Sequence, residues 1–501
     1  MTSIRPSLFN HRGPMELNEK NSSVTNQTGT SSLARAEATP TIVREETESL
    51  TPPTPVARKD RIFSLDVIRR VALLGILLVN IENFAGPEAL HDIPVGTPIA
   101  AFSGPHAPLH LFILMLKWIF FEGKMNFLFC MLFGASVVLM TTRAERRGTG
   151  QQIADIYLRR NLWLALFGLL HGIFIWSGDV LFDYGLVGVL MLFACRKLKA
   201  RTLFITGTCI SVPLVTIVLF FWLGSANDFN LSTQAAVADA QERAGQPLTP
   251  EQKQAQRDWA ARVESQKITQ QSIDASMSVA HETYVAGVIH RVEDYLGSRA
   301  AITHFTFATQ DLGAMLIGMG LFKFGFLTAE QPYATYIWTA ALGFLVAAPM
   351  YVIGMWKAYI SGFSVLSFDK WICLPYFFNR EEAGLALLSI ILLVVKSGVF
   401  RTFQSMLAAV GRTALSNYLL TSILCQFLFL WGPWKLYGKL EYYQYNYVVL
   451  VVWMINLVGS TLWLRAFRFG PMEWVWRSLT YLKFQPMRIN PSVPAGLTVG
   501  A

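Results

Sequence analysis

The sequence predicts an all-α fold: a polytopic transmembrane bundle of about ten spans, with a disordered N-terminal tail and a helical outward insert. Of the 501 residues, 53% are hydrophobic and only 15% are charged, whereas soluble domains carry about 25% charged residues. Several apolar runs approach the roughly 20 residues that a helix needs to cross a bilayer. These runs are too long for the strands of a membrane barrel, which have about ten alternating residues.

Hydropathy places the spans in two groups that flank a polar stretch. The apolar run at 109–122 either extends the second span or forms a separate half-helix. The predicted spans are 66–86, 124–142, 158–177, 179–196, 202–224, 303–328, 334–357, 382–401, 411–432 and 445–467.

The domains follow from shifts in composition. Residues 1–60 are rich in Ser, Thr, Pro and Glu, so we expect a disordered cytoplasmic tail. Residues 61–224 and 301–485 are the two transmembrane halves, with about five spans each. Residues 225–300 are polar and should form a helical periplasmic insert, and residues 486–501 a second cytoplasmic tail. No apolar segment follows the N-terminus, so no cleaved signal peptide is expected.

One helix start is visible within the insert. Thr249-Pro250-Glu251-Gln252 combines a hydroxyl N-cap, a proline in the first helical position and an acidic first turn. The insert is therefore predicted to contain a helix that begins at this point.

Lysine and arginine are concentrated in alternate loops, and this bias sets the orientation of the spans. Both termini are predicted to be cytoplasmic. The same loops explain the net charge of +9, so no nucleic-acid partner is expected. The basic residues on the cytoplasmic side include Arg58, Lys59, Arg61, Arg143, Arg146, Arg147, Arg159, Arg160, Arg196, Lys197, Lys199 and Arg201.

The five cysteines lie in or beside apolar runs and lack the spacing of metal ligands or disulfide partners. We expect them to be small core residues, and no metal site is predicted. They are Cys130, Cys195, Cys209, Cys373 and Cys425.

A series of motifs runs through most of the chain. It includes Leu65-Asp66-Val-Ile-Arg69, Gly168-Leu-Leu-His171, Trp176-Ser-Gly178-Asp179, Gly411-Arg412-Thr-Ala-Leu-Ser-Asn417-Tyr418 and Gly470-Pro471-Met-Glu473-Trp474. In this order the motifs resemble the YeiB-like family of bacterial inner-membrane proteins, whose C-terminal half is a domain of unknown function. The resemblance covers roughly residues 62–485. It departs from the family pattern at Arg70, where a glycine is usual.

The family is similar, more distantly, to membrane acyltransferases such as the heparan-alpha-glucosaminide N-acetyltransferases. This resemblance implies a protein of the bacterial inner (plasma) membrane that takes an acyl group from cytoplasmic acyl-CoA. The acceptor would be an extracytoplasmic glycan or another small molecule. It implies no permanently bound cofactor, and the lipid bilayer is the expected partner. An analogy of fold alone does not establish a function.

His171 and Asp179 are the first candidates for chemistry. They lie on either side of the turn between two predicted antiparallel spans, so both can reach one outer vestibule. A carboxylate can hold an imidazole in one tautomer, as a general base requires. The structural alternative is that Asp179 caps its helix and His171 bonds a carbonyl of a neighbouring helix.

His106 is a second catalytic candidate, because the acyl-accepting histidine of the acetyltransferase relatives also follows the first span in an outward loop. His91 lies in the same loop. The Trp-Asn-Gly that accompanies the histidine in the relatives is absent, and a loop histidine is usually only solvated.

Asn80 and Glu82 are expected to line a polar vestibule at the outer end of the first span. Asn80 lies roughly 21 Å along the helix from Asp66 and shares a face with Asn83. Glu82 is expected to meet water near the end of the helix. The alternative for the asparagines is hydrogen bonding between helices, worth about 0.6 kcal/mol in a membrane.

Arg69 and Arg160 are candidates for binding acyl-CoA, because guanidinium groups bind phosphate in a bidentate geometry. Arg70, Arg159 and Arg412 belong to the same basic group. The positive-inside rule alone accounts for most of these arginines.

The sequence leaves two main functions open. One is acyl transfer with the residues just named. The other is transport or export of a small solute, coupled to protons through Asp179 or Glu82, because ionisable groups inside membranes often mark pathways. A third hypothesis is a scaffold that acts through its tail and insert.

Overall fold

The computed structural model describes residues 62–87, 104–148, 152–211, 216–267, 269–280, 282–399, 404 and 411–489. These parts of the chain are helical, apart from turns and one isolated antiparallel bridge between Phe467 and Arg488. The predicted all-α fold is confirmed. The tail predicted at 1–60 and His91 lie outside the described residues.

Helices α1 to α6 form the N-terminal half. They are α1 Phe63–Ala85, α2 Ala107–Phe120, α3 Lys124–Arg146, α4 Ile153–Phe174, α5 Leu181–Val187 and α6 Ala200–Ser211. A π-helical turn at Gly188–Leu192 extends α5 to the short segment Phe193–Cys195. Helices α4 and α5 pack side by side, and α3 packs against α1.

The remaining helices are α7, which runs from the predicted span 202–224 into the polar insert region, α8 to α10 of that region, and α11 to α16 of the C-terminal half. They are α7 Thr216–Arg243, α8 Pro250–Gln266, α9 Gln270–Ala280, α10 Tyr284–Leu296, α11 Ser298–Lys323, α12 Tyr333–Ile360, α13 Leu374–Ser397, α14 Ala414–Gln426, α15 Tyr445–Ala466 and α16 Pro471–Tyr481. The closest packing in this half joins α12 to α13, while α11 packs against α6 and α3 of the first half.

Five helical segments within the described ranges are long and apolar enough to cross a membrane, and Leu181–Cys195 is a shorter apolar helix. The chain is therefore a helical membrane protein. The predicted total of about ten spans stays a prediction. The five segments are Ala107–Arg146, which comprises α2 and α3, and His304–Lys323, Tyr333–Ile360, Gly411–Trp431 and Tyr442–Ala466.

The apolar run at 109–122 forms a separate helix. Helix α2 ends at Phe120, and α3 begins at Lys124. Between them Gly123 adopts φ +72°, a left-handed conformation that glycine tolerates without steric cost. Of the two alternatives left open by the sequence, the half-helix is the one observed.

The helix start predicted at Thr249 is also confirmed. The Thr249 hydroxyl accepts a hydrogen bond from the Gln252 amide, and the Gln252 side chain accepts one from the Thr249 amide. Helix α8 begins at Pro250. Hydrogen bonding to the backbone there lowers the pKa of the exposed Glu251 carboxyl.

Helix α1 occupies a central place in the bundle. It has 23 residues and carries Asp66, Arg69 and Arg70 near its start and Glu82 near its end. Helices α3, α13, α14 and α15 pack around it. The polar side chains at both ends of α1 therefore face other helices of the protein. Exposure of such groups to lipid would be costly in free energy.

Helices α3 and α11 approach each other through a reciprocal pair of glycines. A Cβ atom at Gly134 would overlap the Met315 backbone, and a Cβ atom at Gly318 would overlap the Met131 backbone. Small residues at such positions permit close helix packing in membranes. This contact fixes α11, which carries several of the buried polar groups, against the N-terminal half.

Gly318→Val is expected to push α11 away from α3 and to destabilise the protein by about 1–3 kcal/mol, the usual cost of overpacking. Thermal unfolding of the purified protein in detergent measures this effect as a lower midpoint. The matched control is Gly459→Val in α15, where no described atom lies within 4 Å of an added Cβ. Equal midpoints for the two variants would contradict the close contact.

Candidate functional site

His171 and Asp179 meet where α4 ends and α5 begins. The His171 Nδ1 lies 2.9 Å from Asp179 Oδ1, and the two side chains are 1% and 0% exposed. Leu166 and Leu170 face outward from α4, so His171 lies on its inward side. The sequence predicted this proximity correctly, and the role of the pair stays a prediction.

Asp179 has several further partners. Its Oδ2 accepts a hydrogen bond of 2.9 Å from the Phe182 amide at the start of α5. The hydroxyls of Tyr418 and Tyr295 donate to its two oxygens over 3.3 and 3.4 Å. Asp179 therefore both satisfies the start of α5 and holds His171, so the structural and functional alternatives are compatible.

The second ring nitrogen of His171 differs from the first in its surroundings. Its Nε2 is buried, and no described atom forms a hydrogen bond with it. Because an ionised carboxylate only accepts hydrogen bonds, the hydrogen between Asp179 and His171 belongs to Nδ1. A neutral His171 then carries its lone pair on Nε2, which is the arrangement of a general base.

Two glycines of α4 make room for this arrangement. A Cβ atom at Gly168 would meet the Phe182 amide and the Asp179 carboxylate. A Cβ atom at Gly172 would meet the ring of Tyr295. The motif Gly168-Leu-Leu-His171-Gly172 therefore lets α5 and Tyr295 pack directly against α4 beside the imidazole.

Glu82 lies at the same end of the bundle, because Phe84 on α1 packs its ring 4.3 Å from that of Trp176. The expectation that Glu82 meets water was wrong. It is 7% exposed, and it pairs with Lys117 at 2.5 Å and accepts a hydrogen bond from Tyr442 at 2.5 Å. The half-helix α2 supplies the lysine, so the glutamate is covered.

The polar vestibule predicted around Asn80 and Glu82 is largely apolar. A crevice of about 170 Å³ opens beside Glu82, and Lys117, Tyr442 and Asn446 are its other polar lining residues. Asn80 is half-buried on α1, whereas Asn83 is exposed. The apolar lining residues are Leu78, Ile81, Ile113, Leu116, Phe121 and the ring of Tyr445.

His106 has surroundings of its own. It precedes α2, its Nδ1 lies 2.7 Å from Glu441 Oε2, and both side chains are about half exposed. Its ring packs near that of Tyr443. These partners differ from those of His171, so the structure does not combine the two candidate histidines in one cluster.

Arg69 and Arg160 lie towards the opposite end of the bundle. Arg69 pairs with Asp66 at 3.2 Å. The Arg160 guanidinium stacks 3.8 Å from the Trp476 ring, and the Trp476 indole N–H donates to the Arg160 carbonyl at 2.8 Å. The positive charges of Arg477 and Arg69 both repel the Arg160 guanidinium. The described part of the chain therefore gathers three guanidinium groups at this end.

Helix α16 reaches this end because it also docks on α14. The Glu473 carboxylate accepts hydrogen bonds from the Leu415 and Ser416 amides and from the Ser416 hydroxyl. Glu473 thus satisfies the N-terminus of α14, where a negative charge is favourable. The motifs that begin at Gly411 and Gly470 meet in this contact.

Arg70 is accommodated inside the bundle by a glycine on another segment. The side chain is fully buried and donates a 3.2 Å hydrogen bond to the Gln404 carbonyl. Gly411 lies directly against it, because a Cβ there would overlap the Arg70 side chain. A large residue at position 70 thus packs against a glycine on another segment.

Sequence reasoning missed a buried polar cluster in the middle of the bundle. Asn126 and Cys130 on α3 contact the Asp311 carboxylate at 3.0 and 3.2 Å. The Tyr184 hydroxyl donates to Asn126 at 2.6 Å. The available signal was Asp311 itself, a carboxylate inside the predicted span 303–328, because such residues are often functional.

A second missed group lies on α13. Arg380 donates to Gln310 at 2.9 Å and to Glu381 at 3.1 Å, and Ser211 donates to Glu381 at 2.6 Å. These buried charges compensate each other. A third missed contact joins Asp183 to His304 at 2.9 Å. In the portion of the chain that the structure describes, no group of three or more His, Cys, Asp or Glu residues could hold a metal ion.

These features define a class: a multi-helix membrane protein with a buried imidazole–carboxylate pair at one end and a guanidinium cluster at the other. The chain belongs to the YeiB-like family. It is 31% identical over 450 residues to the uncharacterized protein YxaH of Bacillus subtilis (strain 168), covering 86% of this chain and 97% of that protein.

Other comparisons agree with this assignment. The chain is 29% identical over 449 residues to the uncharacterized protein YeiB of Escherichia coli (strain K12), covering 84% of this chain and 96% of that protein. Residues 321–483 match the family described as protein of unknown function (DUF418). No solved structure matches the chain.

Lys117→Met is expected to destabilise the protein by about 3–5 kcal/mol, because it leaves the buried Glu82 carboxylate without its cation. The double variant Lys117→Met with Glu82→Gln is expected to regain most of that loss, since position 82 then carries no charge and Glu122, the other carboxylate near Lys117, is the more exposed of the two. Thermal unfolding in detergent of both single variants and the double variant gives the coupling between the two residues. Additive losses would contradict a buried ion pair.

Proposed function

We propose that this protein transfers an acyl group to an acceptor at the end of the bundle that holds His171 and Asp179. The proposal is carried by the 2.9 Å contact between His171 Nδ1 and Asp179 Oδ1. It is supported by the buried Nε2, which has no hydrogen-bond partner in the described structure. Such a pair can take a proton from a hydroxyl or amine that attacks an acyl carbonyl.

The proposed reaction is a direct transfer. His171 Nε2 accepts the proton of the acceptor hydroxyl or amine while the acceptor atom forms a bond to the acyl carbon. The C–S bond of the donor thioester breaks, and His171 returns the proton to the leaving thiolate. Asp179 stabilises the imidazolium between the two proton transfers, and Tyr418 and Tyr295 orient the carboxylate.

The proposed donor is acyl-CoA, whose phosphates would bind Arg69 and Arg160. The guanidinium groups of Arg69, Arg160 and Arg477 repel one another, and a bound anion relieves that repulsion. The stacked Trp476 ring holds the Arg160 guanidinium in place. Roughly 16 Å along α4 separates Arg160 from His171, so the thioester arm must reach that far through the bundle.

The proposed location is the bacterial inner (plasma) membrane, with both termini in the cytoplasm. The basic segments at 143–147 and 196–201 support this orientation through the positive-inside rule. The His171–Asp179 pair would then face the extracytoplasmic side, where a glycan or another small molecule would act as acceptor. His106 would lie on the same side, but it contacts Glu441 and not the His171–Asp179 pair.

A second candidate function is proton-coupled transport of a small solute, with Asp179 or Glu82 carrying the proton. The observation that favours it is the buried cluster around Asp311, Arg380 and Glu381, since ionisable groups inside a membrane often mark a pathway. Transport would appear as proton-dependent flux into vesicles with no thioester consumed.

His171→Gln is expected to lower kcat for acyl transfer from acetyl-CoA by about 10²–10⁴-fold, because it removes the general base. The purified protein in lipid nanodiscs is assayed by release of free CoA with a mixture of glycan acceptors. His290→Gln is the matched control, since His290 is an exposed histidine of α10. Unchanged turnover in His171→Gln would remove this residue from the mechanism, and flux without CoA release would favour transport.

Arg160→Gln is expected to raise KM for acyl-CoA about tenfold, which corresponds to about 1.4 kcal/mol for one lost charge-assisted contact with phosphate. Its neighbour Arg159 is the control, because the Arg159 side chain bonds only to the Asp155 carbonyl among the contacts seen. Equal effects of Arg160→Gln and Arg159→Gln would show a general charge effect and contradict a specific donor site.

A further inference from the structure

The last helix of the insert region, α10, is attached to the end of α4. The Tyr284 hydroxyl donates to the Phe174 carbonyl at 2.8 Å, and the Arg291 side chain donates to the Ile173 carbonyl at 2.9 Å. The last carbonyls of a helix have no partner within it, so side chains of α10 complete the hydrogen bonding of α4. The insert therefore touches α4 within one turn of His171.

Tyr295 carries this contact to the His171–Asp179 pair. It is 3% exposed, and its ring lies against Gly172. Its hydroxyl donates to Asp179 Oδ2 over 3.4 Å. The position of Tyr295 is therefore coupled to the orientation of the carboxylate that holds His171.

The backbone of Tyr295 is held by a second histidine. His304, near the start of α11, places Nδ1 at 2.9 and 3.1 Å from the two oxygens of Asp183. Its Nε2 lies 3.2 Å from the Tyr295 carbonyl oxygen. An ionised carboxylate and a carbonyl only accept hydrogen bonds, so with Asp183 ionised both ring nitrogens of His304 donate. An imidazole with a hydrogen on each nitrogen is a cation.

A positive charge on His304 also affects the repulsion between two nearby aspartates. Asp179 and Asp183 are four residues apart in sequence, and nearby like charges repel each other. The titratable groups that face His304 are Asp183 on α5 and Tyr295 on α10, with Asp179 four residues before Asp183. A cation at His304 compensates the negative charge of Asp183.

We infer that His304 is an imidazolium that positions Tyr295, and through it Asp179, beside His171. The two imidazoles of this end thus have different states: His304 carries a hydrogen on both nitrogens, and His171 on Nδ1 alone. The effect of His304 on turnover rests on the proposed acyl transfer, whereas its charge and its hold on α10 do not.

The charge state is tested by nitrogen-15 NMR of full-length, histidine-labelled protein in lipid nanodiscs at neutral pH. The chain has eight histidines, and single substitutions assign their signals. The expected spectrum has both nitrogens of His304 protonated and Nε2 of His171 unprotonated. A single protonated nitrogen on His304 would overturn the inference.

The positioning role is tested with His304→Gln, which removes the charge, and His304→Lys, which restores a cation. In His304→Gln we expect a shifted His171 signal and about tenfold faster amide hydrogen exchange in α10. We also expect about tenfold lower kcat at unchanged donor KM, since orienting partners of metal-bound histidines cost roughly 10–100-fold when removed. His304→Lys should recover most of each loss.

His290→Gln is the control for this series, because His290 lies on α10 but pairs with the exposed Glu282 at 3.2 Å. Equal behaviour of His304→Gln and His304→Lys would overturn the role of the charge. If His304→Gln fails to fold, the Asp183→Asn variant is measured instead. In that variant His304 is expected to lose one proton, and a His304 that keeps both protons would overturn the inference. A parent protein without acyl transfer would refute the proposed function, and the spectra alone would then decide this inference.

Discussion

The arrangement of these helices depends on one constraint: a charged side chain inside a membrane protein is costly unless the protein itself supplies a partner. Glu82 on α1 pairs with Lys117 on α2, and Arg380 pairs with its neighbour Glu381 on α13. The first pair joins two helices directly, while the second pair joins α13 to α11 and α6 through Gln310 and Ser211. Polar contacts therefore fix the register of the bundle, and apolar packing fills the space between them.

The ends of α1 and α4 illustrate how the constraint produces two chemically different regions. At one end a carboxylate holds an imidazole, and aromatic hydroxyls hold the carboxylate. At the other end the Arg160 guanidinium stacks on the Trp476 ring, and Arg69 pairs with Asp66. One continuous helix, α4, carries a residue of each region, His171 and Arg160.

The sequence predicted what depends on local pattern. Long apolar runs gave the all-α membrane fold, and the cap at Thr249 gave a helix start, because both signals lie within a few neighbouring residues. The meeting of His171 and Asp179 was also predictable, since only a short turn separates them. His304 was not recognised as the partner of Asp183, because 121 positions lie between them and hydropathy does not tell which helix faces meet. Glu82 was assigned to water for the same reason, as its cover comes from the separate half-helix α2.

The contact between Arg160 and Trp476 has a consequence for the synthesis of the protein. The two residues are 316 positions apart, and the tryptophan belongs to the final helix of the described chain. Chains enter the membrane from the N-terminal end as they are made. The Arg160 guanidinium therefore lacks its tryptophan partner until most of the chain has been translated. A chain that ends before α16 would retain the His171–Asp179 pair, but Arg160 would have no Trp476 ring to stack on.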